Sequence, residues 1–270
     1  MDKNKLLQLF QIGNIVAVIF TIIVNSLANL LPIGGKNTGE LSDNIPNLFV
    51  PAGITFSIWG IIYVLIIVFA IYLARDLFKQ KKFTTPFVEK TSFFFILAGV
   101  ANIIWIFLWH YEHVLLSLLA MLVLFVSLLF IYLRLNIGME KISLKDKLFI
   151  HVPISVYIGW ITVATIANVT AVLVTVGWNG FGMSEQIWTI LVLLIATILT
   201  LLVIIKRKDI AYSCVILWAF LGIVIKRFQT DPLQTEIATT ALAAICIIIV
   251  ALFVIFIREH IVKRKTSQGT

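Results

Sequence analysis

Residues 114–133 read VLLSLLAMLVLFVSLLFIYL, twenty positions without a charge, closed by His113 on one side and Arg134 on the other. As a helix rising about 1.5 Å per residue, this run covers roughly 30 Å, the hydrocarbon thickness of a bilayer. It lacks the strict alternation of a barrel strand. In lipid every backbone polar group must be satisfied inside the element, so the run is read as a transmembrane helix. Outward from it, comparable runs occupy about 6–31, 50–74, 92–109, 148–176, 186–205, 210–225 and 237–257. The run at 210–225 is short, and it is the first that a lower helix count would drop. The whole composition agrees: 61% hydrophobic, 13% charged, mean hydropathy +1.07. That balance excludes a water-soluble domain of this size. The expected fold is all-α, a polytopic membrane bundle of about eight helices.

The net charge is +8. Its distribution matters more than its size. With the N-terminus cytoplasmic, the segments on that side carry 18 of the 21 Lys and Arg, and the opposite side holds Lys36, Lys226 and Arg227. This is the positive-inside pattern. It predicts a multi-pass protein of the cell (plasma) membrane with N- and C-termini cytoplasmic. The basic charge then reports topology and contact with the lipid bilayer, and requires no nucleic acid. Ser26-Leu27-Ala28 faintly resembles a signal cleavage site, but the run before it exceeds an ordinary apolar leader and its loss would spoil the charge alternation. Cys214 and Cys246 fall at different depths, so no disulfide is expected; both read as small buried hydrophobes.

The segment 32–50 is rich in Gly, Pro and Asn and reads as a structured loop rather than helix. His110-Tyr111-Glu112-His113 is a tight turn; four adjacent residues cannot all point at one metal ion, so a solvated turn is expected. His151, beside Pro153, reads as interfacial. Two stretches, ending at Arg75 and Arg134, satisfy a loose cholesterol-contact pattern that any helix ending in Tyr and Arg will match. No span carries a charge at its centre and no inverted repeat is visible, which argues against an ion-coupled transporter. No nucleophile–base pair, phosphate loop or metal spacing is present.

Polar and aromatic positions recur inside the apolar spans as Phe56-x-x-Trp59-x-x-x-Tyr63, Asn102-x-x-Trp105-x-x-x-Trp109 and Trp160-x-x-x-x-Thr165-x-x-Asn168. Each spacing lies roughly along one helix face. Asn25, Trp59, Asn102 and Asn168 all fall about seven or eight residues from one membrane surface, in one layer roughly 10–12 Å deep. Trp160 lies deeper. These residues predict an outward-opening pocket beneath the 32–50 loop. Asparagine is also common glue between membrane helices, and Trp often sits in an interfacial belt. The belt reading suits Trp109 and Trp178. It fails on depth for Trp59, Trp105 and Trp160, for which packing and pocket both stay open.

The segments Pro51–Tyr63, Asn102-Ile103-Ile104-Trp105 and Trp160–Asn168 together resemble the tryptophan-rich sensory protein family, also called the TspO or translocator family. The likeness covers about residues 6–175. It implies a five-helix core (1–178) and leaves an additional three-helix segment with a basic tail (179–270) outside it. The resemblance implies a hydrophobic small-molecule ligand, with tetrapyrroles such as protoporphyrin or haem foremost, held without any required cofactor. Sterols and synthetic isoquinolines or benzodiazepines are further family ligands. Trp59 and Trp160 match tryptophans linked to porphyrin binding and its light-dependent breakdown. Asn102, Trp105, Thr165 and Asn168 match lining positions, so the expected ligand site is Phe56, Trp59, Tyr63, Asn102, Trp105, Trp160, Thr165 and Asn168. Three departures stand out. Ile103 occupies a position that is often Trp, Pro153 lies farther from Trp160 than the family's helix-five proline lies from its Trp, and residues 169–176 contain no Tyr or basic residue of a sterol motif. The expected role is sensing, sequestration or transport of the ligand, binding rather than catalysis. A transporter or permease subunit, and a light-dependent porphyrin-degrading activity, are the alternatives. Small-residue faces such as that of Gly99 leave a homodimer open.

Overall fold

Gln11, Asn14, Val18, Thr21, Asn25 and Ala28 recur at steps of three and four, and in the computed structural model they form the buried stripe of the first helix, α1 (Lys3–Leu30). The structure describes residues 2–31, 33–79, 84–230 and 234–268. Lys81 and Lys82, two of the expected basic positions, lie outside the described residues. The chain continues through α2 (Thr38–Asn44), a 3-10 turn at Gly53–Ser57, α3 (Ile58–Ala74), α4 (Thr85–Thr91), α5 (Phe94–His110) and α6 (Val114–Arg134). A single turn, α7 (Leu144–Asp146), and a π-helical turn (Lys147–His151) lead into α8 (Val152–Thr175). The π turn ends two residues before Pro153, whose missing N–H leaves a gap in the helical ladder. Then follow α9 (Glu185–Arg207), α10 (Ile210–Gln229) and α11 (Thr235–Gln268).

Among the described residues seven helices are long and apolar enough to cross a membrane, and Phe94–His110 is a shorter apolar eighth. These are the eight spans expected. The doubtful one is a full helix: α10 runs 20 residues, and Lys226 and Arg227 lie in its last turn rather than in a loop. It is also the most deeply packed of the candidate spans. Two charges ended the apolar run in sequence, but the hydrogen-bond ladder continues through them.

Five long helices close a ring in which α1 meets α5, α5 meets α6, α6 meets α8, α8 meets α3, and α3 returns to α1. α10 packs against α8 and against the 3-10 turn before α3; α11 packs on α9 and α10. At one end of the bundle Lys3 pairs with Glu89, Lys90 with Glu140, and Arg207 donates to the Ile137 carbonyl. This is the basic end. The opposite end carries α2.

Three expectations are corrected here. The 32–50 segment contains a seven-residue helix, α2, started by a reciprocal capping box between Asn37 and Glu40. Cys214 and Cys246 are free and exposed on the outer surface of their helices, not buried. Gly99 is not an available oligomer face: it faces α1, where an added Cβ would lie 3.1 Å from the Ala17 Cβ.

Candidate functional site

Three helices bring tryptophans to one point below α2. Trp59 projects from α3, Trp105 and Trp109 from α5, and Trp160 from α8. They enclose a cavity of about 40 Å³, which Phe56, Asn168, Thr38, Ser42, Pro51 and the small residues Ala164 and Ala167 complete. The Trp160 ring meets Phe56 edge-on at 5.8 Å and Trp59 edge-on at 6.4 Å. Trp105 and Trp109 stack at 5.9 Å with planes 19° apart. Edge-on and offset contacts suit the aromatic quadrupole, so the rings hold one another in place.

The polar groups differ in how they are satisfied. Asn168 accepts from Trp105 Nε1 at 2.9 Å and donates to Ser117 Oγ at 3.1 Å, tying α5, α6 and α8 together at the cavity edge. Trp160 is 2% exposed, yet its Nε1 finds no acceptor. A buried N–H without a partner costs about 1–3 kcal/mol. Among the lining indoles, Trp105 donates to Asn168 and Trp109 to the Thr38 carbonyl at 3.4 Å, while the Trp160 Nε1 is fully buried without a partner.

Five of the eight expected site residues line this cavity: Phe56, Trp59, Trp105, Trp160 and Asn168. Three do not. Tyr63 stacks behind Trp59 at 5.7 Å. Asn102 is fully buried and accepts from Asn25 Nδ2 at 2.6 Å, the interhelical glue reading. Thr165 donates to the Ile161 carbonyl of its own helix at 2.7 Å.

The interfacial reading of Trp109 is corrected, because this ring is 6% exposed and lines the cavity. Its i+4 spacing from Trp105 was the available signal. The solvated-turn reading of His110 is corrected as well. His110 is 3% exposed, with Nε2 3.1 Å from Thr38 Oγ1 and Nδ1 2.9 Å from the Ile33 carbonyl. It pins the segment that roofs the cavity. His151, at the start of α8, is also buried.

α10 holds the site from outside the ring. Ala52 N donates to the Gly222 carbonyl at 3.0 Å, and Trp218 Nε1 donates to the Thr55 carbonyl at 2.9 Å. The approach is so close that a Cβ on Gly222 would fall 1.9 Å from Thr55 Oγ1 and 2.9 Å from the Pro51 Cβ. Lys226 also pairs with Asp43 of α2. The seventh membrane helix therefore fixes both the segment that delivers Phe56 and Trp59 and the helix that covers them.

Fold and site together define a polytopic helical membrane protein with a tryptophan-lined internal cavity. Residues 11–255 match the family model described as TSPO-like protein, and the chain belongs to that family. The match runs through α9, α10 and most of α11, beyond the region that the motifs alone suggested. No curated protein and no solved structure matched the chain.

Proposed function

We propose that this membrane protein binds a flat, hydrophobic small molecule of the tetrapyrrole class between Trp59, Trp105, Trp109 and Trp160, entering past α2 from the side opposite the cytoplasm. The unspent Nε1 of buried Trp160 carries the reading. A ligand carbonyl, carboxylate or ring nitrogen would accept that hydrogen bond, while the indole faces stack on the macrocycle. The cavity of about 40 Å³ is roughly a tenth of an ordinary small-molecule site, so this is a closed state. Binding requires α2 to lift, and its fastenings are local and polar: the Thr38–His110 contact, the Trp109–Thr38 bond and the Lys226–Asp43 pair. Sensing and sequestration follow from binding alone.

The test is titration of the purified protein in nanodiscs with protoporphyrin IX, read by quenching of intrinsic Trp fluorescence. Saturable quenching that weakens at least tenfold in Trp160→Phe is expected. Linear, non-saturating quenching in both proteins would end the proposal.

A further inference from the structure

A second cavity, of about 480 Å³, lies at the α2 end between α8, the 177–184 turn, the start of α9 and residues 46–48. Its volume already falls within the range of about 300–1,000 Å³ typical of small-molecule sites, without any opening movement. Leu173, Val174 and Val192 give it an apolar wall. Trp178 and Trp188 stand at 56° with ring centroids 4.9 Å apart and form an aromatic corner. Trp188 spends its N–H inward, on the Gly180 carbonyl at 2.7 Å. An indole in an interfacial belt turns that polar edge to headgroups and water. Here the edge is occupied, and Phe181 meets Trp178 edge-on at 5.3 Å beside it. The turn is fitted to this indole: Gly180 adopts φ 62°, and a Cβ there would lie 2.9 Å from Trp188 Nε1.

Glu185 lines the same cavity, three residues before Trp188 and so on the same helix face. It is the one charged side chain among the described lining residues, and no Lys or Arg is among them. The Asn47 amide is already engaged with Thr170. The lining thus carries no basic side chain and supplies a carboxylate beside two indoles.

We propose that this cavity is a binding site for an amphipathic organic cation. A quaternary or protonated ammonium rests on the Trp178–Trp188 corner with Glu185 as counter-ion, and the apolar body lies against Leu173, Val174 and Val192. Indole faces attract such cations within about 6 Å of the ring centroid. The ammonium can belong to a lipid headgroup or to a free molecule. This site shares no residue with the tryptophan cavity beneath α2, so the two proposals stand or fall separately.

The experiment uses the full chain, labelled with 5-fluorotryptophan, in nanodiscs of phosphatidylglycerol, which carries no ammonium. Benzyltrimethylammonium is titrated while the ¹⁹F resonances of Trp178 and Trp188 are followed, with neopentylbenzene as its neutral isostere. The cation is expected to shift both resonances saturably, the isostere to give no saturation, and Glu185→Gln to raise Kd at least fivefold. Glu185 is exposed in the first turn of α9, so the variant keeps the fold, and unmoved Trp59 and Trp160 resonances check this. Discs of phosphatidylcholine separate the sources: competition marks the lipid headgroup as occupant, and unchanged affinity marks a free cation. Absence of a shift, an equal response to the isostere, or an unchanged Kd in Glu185→Gln would overturn the proposal.

Discussion

Asp209, between α9 and α10 at the basic end, is buried and accepts three hydrogen bonds: from Tyr132 at 2.9 Å, Ser155 at 2.7 Å and the Tyr212 N–H at 3.1 Å. Asp76, near the same end, accepts from Gln11 and twice from Thr84. Trp160, toward the α2 end, is as deeply buried and its donor has no partner. Both kinds of group are costly to bury, but only one kind is balanced within the chain. Saturated groups tie helices together and hold nothing else. An unsaturated donor on the wall of a cavity has capacity left for a ligand. The contrast separates the scaffold from the site, and substitutions at the two ends should move different quantities.

The largest effect belongs at the saturated carboxylate of Asp209. Asp209→Ala leaves the Tyr132 and Ser155 hydroxyls and the Tyr212 N–H without their acceptor, which at the usual cost of stranded buried donors amounts to about 3–5 kcal/mol. Unfolding in detergent should show that loss, while the surviving folded protein binds protoporphyrin IX within twofold of the parent. A tenfold weaker affinity would break the separation of the two ends.

Gly222→Ala comes next and should move both quantities. The added methyl meets Thr55 and Pro51, and overpacking of this kind costs about 1–3 kcal/mol. Because the displaced segment delivers Phe56 and Trp59, porphyrin affinity should fall together with the melting temperature. Loss of stability with unchanged affinity would show that α10 supports the fold but not the site.

How far the sequence disclosed this arrangement follows from the range of each interaction. The spans were legible because hydropathy and the 3.6-residue period are local; so was the layer holding Trp59 and Asn168, with Trp160 deeper, since depth can be counted along each helix. What escaped depends on distant partners. Nothing near Gly222 indicates that it abuts Thr55, and the Trp218–Thr55 bond joins residues 163 apart. His110 looked solvated because its two partners, Ile33 and Thr38, come from another segment. The roof helix α2 did carry a local sign, Asn37 three before Glu40, which the surrounding Gly and Pro outweighed.

Trp160→Phe sharpens the comparison from the unsaturated side. Its N–H bonds to nothing in the closed state, so removing it sacrifices packing alone, about 1–2 kcal/mol for a smaller ring in a rigid core. Porphyrin affinity should fall tenfold, about 1.4 kcal/mol. Trp105→Phe makes an instructive partner, because that N–H is already bonded to Asn168 and its loss leaves the buried Asn168 Oδ1 with only the longer 3.4 Å bond from Ser117 Oγ. Trp105→Phe should therefore cost more stability than Trp160→Phe and less affinity. The reverse order would mean that the ligand hydrogen bond lies on α5.

The smallest effect is expected at the roof. Lys226 and Asp43 are both partly solvated, and exposed pairs of this kind contribute about 0–1 kcal/mol. Lys226→Ala should leave the melting temperature almost unchanged. Its effect belongs to kinetics: with one fastening of α2 gone, protoporphyrin IX should enter and leave faster by a similar factor, and Kd should stay nearly constant. Stopped-flow quenching distinguishes this from a direct ligand contact. If Lys226 instead touched a ligand carboxylate, the variant would raise the off-rate alone, and Kd would rise with it. Equal acceleration of both rates identifies α2 as the gate over a site whose walls are otherwise fixed by the ring and by α10.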